Sequence, residues 1–344
     1  MATALSPRDR GGASQPLLLA EGLRKHFPVG GGLLGRGRKV VRAVDDLSLS
    51  VTKSETLGVV GESGCGKSTV ARLLIRLIRP DRGTMVLDGD PVDEPHGITV
   101  NELRRQVQMV FQDSYASLNP RLTIAETLAF APRAHGVPAA EARERVRDLL
   151  AKVGLDPESY ADRYPHELSG GQRQRVNIAR ALALRPRLVI LDEAVSALDK
   201  SVEAQVLNML VDLKTELGLT YIFISHDLNV VQYLSDRVLV MYLGKIVELG
   251  PVEAIYSDPQ HPYTRALLSA RPSMDPRKRT NEAPIQGDPP NPIDPPSGCR
   301  FRTRCPFAEE VCVRVEPVLA DTGRQTVACH MRVAGSGHSR AGLA

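Results

Sequence analysis

The 344-residue chain is predicted to be an α/β protein whose core is a parallel sheet. Two continuous apolar runs, 188–191 and 221–224, have the composition of strands buried on both faces. Helical periodicity between them predicts a crossover helix that ends at Gly218, which makes a βαβ unit. In addition, the stretch 61–69 follows the apolar run 56–60 and fits the pattern G-x-x-x-x-G-K-S/T.

This glycine-bearing stretch has the chemistry of a phosphate-binding loop. Glycines let the backbone curl so that N–H groups point inward, and a helix beginning near Lys67 directs its positive end at the same point. Lys67 is expected to reach the β- and γ-phosphates, and the Ser68 hydroxyl to coordinate Mg²⁺. An accidental glycine-rich turn is the alternative, which the order strand, loop and helix disfavours. The predicted nucleotide-binding residues here are Gly61, Glu62, Ser63, Gly64, Cys65, Gly66, Lys67, Ser68 and Thr69.

Composition narrows the class of protein. Hydrophobic residues make up 42% of the chain, which is enough for a substantial core. The net charge of +4 argues against a dedicated nucleic-acid surface but allows weak attraction to an anionic membrane face. No window approaches the roughly eighteen uncharged apolar residues of a spanning helix, and residues 1–15 contain no apolar signal core. We therefore expect a cytoplasmic protein.

The other predicted elements follow from apolar periodicity and turn residues. Alternation predicts strands, and apolar residues three and four apart predict helices. In chain order they are strands at 17–27 and 43–51 joined by a basic loop, a helix through 70–77, strands at 84–87 and 107–111, a helical region with its clearest helix at 139–153, and a strand pair at 238–242 and 245–248.

Changes in composition predict the domain boundaries. Residues 271–298 are rich in proline and poor in large apolar side chains, so an extended linker is expected there. Four of the five cysteines lie beyond it. The predicted segments are a disordered N-terminus at 1–16, the main domain at 17–270 with a helical subdomain at about 113–168, the linker at 271–298, a four-cysteine domain at 299–332, and a disordered tail at 333–344.

An acidic pair follows the first buried apolar run. Asp192 is expected at the carboxyl end of its strand, where a carboxylate can hold Mg²⁺. Glu193 is the better candidate for a general base that activates water. A helix cap or the start of a solvated loop is the alternative.

A second glycine-bearing turn, 168–175, precedes another apolar-striped helix. It repeats the anion-binding features of the first, since N–H groups at a helix start lie near the small hydroxyl of Ser169. Either this turn is only a helix cap, or it closes over a nucleotide bound to another copy. The residues concerned are Ser169, Gly170, Gly171 and Gln172.

Taken in order, these motifs resemble those of ATP-binding-cassette (ABC) ATPases over nearly the whole chain. The stretch 61–69 resembles the Walker A motif, 168–172 the LSGGQ signature, and 188–193 the Walker B strand with its catalytic Glu193. The resemblance implies a P-loop ABC-type nucleotide-binding domain with a parallel-sheet core, an antiparallel β subdomain, a helical subdomain and a small cysteine-containing C-terminal appendage.

The resemblance also implies roles for further residues. Gln112 would be the Q-loop glutamine, Asp199 would belong to the D-loop and His226 would be the switch histidine that contacts the γ-phosphate. Phe27 would stack on adenine, with Val44 beside it. Catalysis would then involve Glu193, His226 and Gln112, and Mg²⁺ would bind to Ser68, Gln112 and Asp192. The sequence departs from many relatives at Ala194, where they have proline, and at Lys200 after the D-loop.

Four features resemble the ATPases of dipeptide and oligopeptide importers in particular: residues 59–69, residues 112–113 with 116–121, residues 261–267 and the cysteine tail. The resemblance implies a peripheral subunit on the cytoplasmic face of the cell membrane, bound to two transmembrane permease subunits and fed by an external substrate-binding protein. A second cassette, identical or different, would complete the ATP sites. Related subunits also serve nickel or glutathione. The rival hypotheses are a soluble cassette acting on ribosomes or DNA, and an inactive regulatory cassette, which the intact Glu193 disfavours.

The cysteines of the tail predict a metal site. Clustered thiols in a cytoplasmic chain favour metal binding over disulfides, with four reduced, buried cysteines as the alternative. Spacing leaves zinc and a [4Fe–4S] cluster both open. The resemblance to peptide-importer ATPases favours the cluster. The predicted ligands are Cys299, Cys305, Cys312 and Cys329; Cys65 is excluded because it lies in the phosphate loop.

Overall fold

The computed structural model describes residues 15–30, 39–271 and 290–342, together with Gly12 and Gly287. The chain divides into two units. The first comprises Val51–Thr56, Val86–Ser225 and the chain up to Leu18, and the second comprises Leu19–Ser50, Leu57–Met85 and the chain from His226 onward.

Both units contain strands and helices. The strands are β1 Pro16–Val29, β2 Lys39–Thr52, β3 Thr56–Val60, β4 Arg82–Leu87, β5 Asp90–Pro91, β6 Val107–Val110, β7 Leu188–Asp192, β8 Thr220–Ile224, β9 Arg237–Tyr242, β10 Lys245–Pro251, β11 Ala320–Asp321 and β12 Thr326–Val327. The helices are α1 Lys67–Leu74, α2 Val100–Gln106, α3 Ile124–Ala134, α4 Ala139–Lys152, α5 Pro157–Tyr160, α6 Gly170–Leu182, α7 Lys200–Leu217, α8 Leu228–Leu234, α9 Val252–Ser257, α10 Pro262–Ser269 and α11 Glu310–Arg314.

Parallel strands form the sheet of the first unit. β7 pairs with β6 on one side and with β8 on the other, both in parallel register. Every residue of β7 and β8 is buried, which confirms that their continuous apolar runs mark strands covered on both faces. The crossover helix α7 joins them and ends at Gly218, whose φ of 62° is the left-handed conformation expected of a C-terminal glycine. The predicted βαβ unit is therefore confirmed.

The helical region of the first unit runs from α3 to α6. Thr123 caps α3 in a reciprocal arrangement with Glu126. The buried residues of α4 are Ala142, Val146, Leu149 and Leu150, which is the apolar stripe that its sequence predicts. Among the described residues, no helix combines the length and apolar character that crossing a bilayer requires.

The second unit contains both parallel and antiparallel pairing. β3 pairs in parallel with β9, and β9 pairs with β10 in the antiparallel hairpin that the sequence predicts. The hairpin turns at Gly244, which has a φ of 79°. In a separate sheet, β1 lies between β2 and β4. The loop that follows β3 thus starts from a strand buried along its whole length.

The cysteine-containing appendage extends the sheet of the second unit. β12 pairs with β10 in antiparallel register, and β11 pairs with β12. Its core includes Val327, Cys329 and Met331, with Phe307 packed against them. The sequence predicted a small domain behind a linker, but it contains no signal that this domain completes an existing sheet.

The segments next to the appendage are more ordered than the sequence predicts. Residues 291–300 form turns and bends instead of an extended chain, and the N–H of Arg42 donates to the carbonyl of Pro292 at 3.2 Å. In the predicted tail, His338 is buried with its Nε2 at 2.8 Å from the carbonyl oxygen of Phe307. The predicted N-terminal disorder up to residue 11 and the linker residues 272–286 lie outside the described residues.

Candidate nucleotide-binding site

The predicted phosphate loop leads from β3 into α1, as the sequence indicates. Its glycines Gly61, Gly64 and Gly66 have φ values of 151°, 77° and 110°. A Cβ atom on Gly61 would lie 2.2 Å from the carbonyl oxygen of Met241, and one on Gly66 would lie 2.1 Å from that of Ala43. Only glycine fits these two positions, because both the backbone angle and the neighbouring backbone exclude a side chain.

Lys67 is folded into the loop. Its ammonium group donates to the carbonyl oxygens of Gly61 at 2.7 Å and Glu62 at 3.0 Å, and the residue is buried. The first turn of α1 contains no acidic residue, so the positive end of the helix dipole has no carboxylate from its own helix beside it. A buried ammonium group and a helix N-terminus together make this loop a site for an anion.

Cys65 adds no negative charge to the loop. Burial raises the pKa of its thiol, although the nearby Lys67 works in the opposite direction. The thiol is therefore neutral at physiological pH, which suits a loop that binds phosphate.

The acidic pair of the first unit stands at the end of β7. Asp192 is its last residue and is buried. Glu193 has a φ of 49°, a conformation that costs free energy in a residue with a side chain and often occurs at functional sites. The N–H of Glu193 donates to the carbonyl of Ile224 at 2.9 Å, which fixes this turn to β8.

The structure brings two predicted catalytic residues into contact. The side-chain amide of Gln112 donates to the carboxylate of Glu193 at 2.7 Å. Sequence reasoning gave each of them a role but did not predict this contact, because they are 81 positions apart. A signal for this contact lies in the position of each residue shortly after a strand, since the parallel pairing of β6 with β7 places the ends of both strands at one edge of the sheet.

The signature turn is a well-formed helix cap. Ser169 Oγ accepts from the N–H of Gln172 at 3.3 Å, and Gln172 Oε1 accepts from the N–H of Ser169 at 2.9 Å. A Cβ atom on Gly171 would lie 2.4 Å from the side chain of Val202, so the turn packs closely on α7. The cap that the sequence offered as one interpretation is present, and contact of Ser169, Gly170, Gly171 and Gln172 with a second copy's nucleotide stays a prediction.

Helix α6, which begins at this turn, also holds the segment that follows Gln112. Asn177 donates from its side-chain amide to the carbonyl of Ser114 at 2.9 Å, and Arg180 donates to the carbonyl of Ser117. Asp113 accepts from the N–H groups of Tyr115 and Ala116, both at 2.9 Å. The bonds from Asn177 and Arg180 therefore attach this segment to α6.

The remaining predicted nucleotide contacts are placed as follows. Phe27 is partly buried near the end of β1, with the Lys25 ammonium 5.6 Å from its ring centroid. Val44 is completely buried, which places its side chain in the core. His226 begins the part of the second unit that follows β8 and is exposed, while Asp199 precedes α7 as its N-cap residue. Because Ser68 belongs to the second unit and Gln112 and Asp192 to the first, their joint magnesium site stays a prediction.

All four cysteines of the appendage line one small cavity, together with Phe301, Phe307 and Met331. Burial raises the pKa of Cys299 to about 12 and that of Cys305 to about 11, and no disulfide joins these thiols. Within the described ranges, no group of three or more His, Cys, Asp or Glu side chains is arranged to hold a metal ion. The four predicted ligands therefore share a cavity, but within the described residues they are not arranged as a site for a metal ion.

Comparison with known proteins agrees with this geometry. The family model described as "ABC transporter" matches residues 44–196, and "Oligopeptide/dipeptide transporter, C-terminal region" matches residues 247–312. The dimeric ATP-binding cassette MJ0796, solved in a post-hydrolysis state with ADP and Pi, superposes with a TM-score of 0.59 at 27% identity, covering 68% of this chain and 98% of that one.

Curated relatives match over most of their length. A probable peptide ABC transporter ATP-binding protein of Sinorhizobium fredii is 52% identical, covering 93% of this chain and 91% of the relative. The dipeptide transport ATP-binding protein DppF of Escherichia coli is 48% identical, covering 92% and 94%. The chain therefore belongs to the ABC transporter family of ATPases, and within it to the ATP-binding proteins of oligopeptide and dipeptide transporters.

Proposed function

We propose that this chain is the ATP-hydrolysing subunit of a membrane importer of dipeptides or oligopeptides. The observation that carries the proposal is the combination, in one unit, of an anion-binding loop around Lys67 with a C-terminal region matching that of oligopeptide and dipeptide transporters. The curated relatives named above are ATP-binding proteins of peptide transporters, and they match nearly the whole chain.

In the proposed reaction, the loop 61–69 binds the triphosphate, and Ser68, Gln112 and Asp192 would hold a Mg²⁺ ion, which would supply positive charge that stabilises the phosphates. Glu193 activates the attacking water, and His226 contacts the γ-phosphate. The hydrogen bond from the Gln112 amide orients the carboxylate of Glu193. Ser169 to Gln172 of a second cassette, identical or different, complete the site, as the dimeric cassette bound to ADP and Pi suggests.

The proposed location is the cytoplasmic face of the cell membrane, where the chain binds two permease subunits. An external substrate-binding protein delivers the substrate to these permeases. The direct test is purification from detergent-solubilised membranes, followed by reconstitution in proteoliposomes. We expect permeases to copurify and peptide uptake to require ATP. Copurification with ribosomes or DNA in place of permeases would support the soluble alternative, and uptake of nickel or glutathione alone would revise the cargo.

We predict that the segment from Gln112 to Leu122 contacts a permease. Tyr115 lies in this segment with 57% of its surface exposed, and Arg173 stands 5.1 Å from its ring centroid, so an aromatic side chain is presented at the surface. A photo-crosslinker in place of Tyr115 should give a permease adduct in the assembled transporter. The same probe in place of Tyr233, which is 59% exposed in the second unit, is the matched control. Adducts of the Tyr115 probe with cassettes alone would refute this docking site.

We further propose that Cys299, Cys305, Cys312 and Cys329 hold a [4Fe–4S] cluster. A tetrahedral zinc site requires its sulfurs within about 2.3 Å of one ion, whereas a cluster accepts thiolates spaced around a larger body. The observation that supports the proposal is that the four thiols line one cavity, and the resemblance of the tail to those of peptide-importer ATPases favours the cluster over zinc. The cluster would be structural or redox-sensing.

Metal analysis tests this second proposal. Anaerobically purified protein should be brown and contain about four irons and four sulfides per chain. Cys312→Ser should lower the iron content, whereas Cys65→Ser should leave it unchanged because Cys65 lies in the phosphate loop. One zinc per colourless chain would establish the zinc alternative, and metal-free folded protein would establish four reduced thiols.

A further inference from the structure

A salt bridge links the cysteine-containing appendage directly to the phosphate loop. The guanidinium of Arg304 binds both carboxylate oxygens of Glu62, with Nη1 at 2.9 Å from Oε2 and Nη2 at 3.0 Å from Oε1. The side chain of Arg304 is only 7% exposed and that of Glu62 is 22% exposed. A two-pronged arginine–carboxylate pair this well shielded from water is strong and fixed in orientation.

Glu62 is held at two further points. Its N–H donates to the hydroxyl of Tyr263 at 2.8 Å, and its carbonyl accepts from the ammonium group of Lys67 at 3.0 Å. Tyr263 is itself fixed, because its N–H donates to Nδ1 of His261 at 3.0 Å. Burial lowers the pKa of His261 to about 3, so this imidazole is neutral and able to accept.

An aromatic cluster anchors the same part of the appendage. The ring of Phe301 lies 5.3 Å from that of Tyr242 and 5.4 Å from that of Tyr263, in edge-to-face and tilted geometries. Phe301 is 2% exposed. Next to it, Arg300 binds the carboxylate of Asp45 and the carbonyl of Leu243. Residues 300–304 are therefore bound at several points to the elements that surround the phosphate loop.

Glu62 places a negative charge in a loop that binds anions, and Arg304 lies beside that charge. A carboxylate inside an anion-binding loop repels a triphosphate, unless a cation neutralises it. Arg304 is the cation that binds the carboxylate of Glu62 here, and no side chain of the loop itself binds that carboxylate among the described contacts. We propose that Arg304 is a positioning residue that neutralises Glu62 and fixes the loop, so that the appendage sets the affinity of the site for ATP. This inference rests on the proposed binding of ATP by loop 61–69.

Nucleotide binding to the purified transporter tests the inference. Arg304→Gln should weaken ATP affinity by about tenfold, because an unpaired carboxylate then faces the triphosphate. Adding Glu62→Gln to that variant should restore the affinity to within about twofold, since the repulsion is removed. Arg304→Lys should fall between Arg304→Gln and the wild type, because it keeps the charge and loses the two-pronged geometry.

Arg302→Gln is the matched control, because Arg302 belongs to the same appendage but its side chain bonds to Ser297 and not to the phosphate loop in the described contacts. It should bind ATP like the wild type. Equal ATP affinities for Arg304→Gln and Arg302→Gln would overturn the inference. A double variant that binds ATP no more tightly than Arg304→Gln would also overturn it, because the effect would then be purely structural.

If Arg304→Gln fails to fold, the single variant Glu62→Gln tests the inference. It should bind ATP at least as tightly as the wild type, and a tenfold loss of affinity would overturn the inference. Absence of ATP binding in the wild type would instead refute the proposed function.

Discussion

Replacing Glu193 with glutamine should slow ATP hydrolysis by about 100- to 10,000-fold and leave ATP affinity within about threefold of the wild-type value. The amide keeps the shape of the carboxylate but cannot take a proton from the attacking water. The strained backbone at Glu193 and its bond to β8 are properties of the main chain, so the substitution should preserve the fold.

The measurement compares steady-state ATPase rate and ATP binding in the assembled transporter. Because the carboxylate accepts from the Gln112 amide at 2.7 Å, and the glutamine oxygen can accept in the same way, the contact should survive. Glu158→Gln is the matched control, since Glu158 is exposed on α5 and its one ion pair among the described residues is a solvent-exposed pair with Arg147 at 3.7 Å. It should hydrolyse ATP normally. A normal rate for Glu193→Gln would remove Glu193 from the role of general base.

Lys67→Ala should weaken ATP binding about 10- to 100-fold, because it removes the buried ammonium group that the phosphate loop surrounds. In the structure this group binds the carbonyls of Gly61 and Glu62, and an anionic phosphate is a stronger partner than a neutral carbonyl. The variant should therefore fail in binding, whereas Glu193→Gln should fail in turnover.

Equilibrium binding of ATP and a thermal unfolding midpoint should be measured together on the Lys67→Ala transporter. The unfolding midpoint identifies any loss of loop structure that follows from the two missing bonds to carbonyls. Lys152→Ala is the control, because Lys152 is a partly exposed lysine that pairs with Asp148 and Glu216 in the first unit. Unchanged affinity in Lys67→Ala would contradict the assignment of loop 61–69 as the nucleotide site.

Sequence patterns predicted the elements with strong, local signals. The runs 188–191 and 221–224 correspond to β7 and β8 because strands buried on both faces need apolar residues at every position. The glycines at 61 and 66 were recognisable because the spacing of a phosphate loop is contained in nine consecutive residues, and the close backbone contacts there explain them. The cap at Ser169 is likewise local, since it joins residues three apart.

The prediction was less accurate where burial depends on distant partners. Val44 is completely buried, and its contact with adenine stays a prediction, because a valine on a strand shows the same pattern whether it faces a ligand or the core. Residues of the predicted tail pack through His338 onto the carbonyl of Phe307, a contact between a polar side chain and a backbone that composition does not indicate. The linkage of β12 to β10 was missed because strands of two residues are too short to show periodicity.

The sequence by itself determined the class of protein, since the chemistry of its phosphate loop, acidic pair and signature turn is written in short consecutive motifs. Only the tertiary structure decided how the appendage relates to that chemistry. Arg304 and Glu62 are 242 positions apart, and nothing in the spacing or composition of either segment indicates the other. Their pairing follows from β12 adding to β10 and from Phe301 entering the cluster of Tyr242 and Tyr263, because packing between distant segments depends on the whole fold.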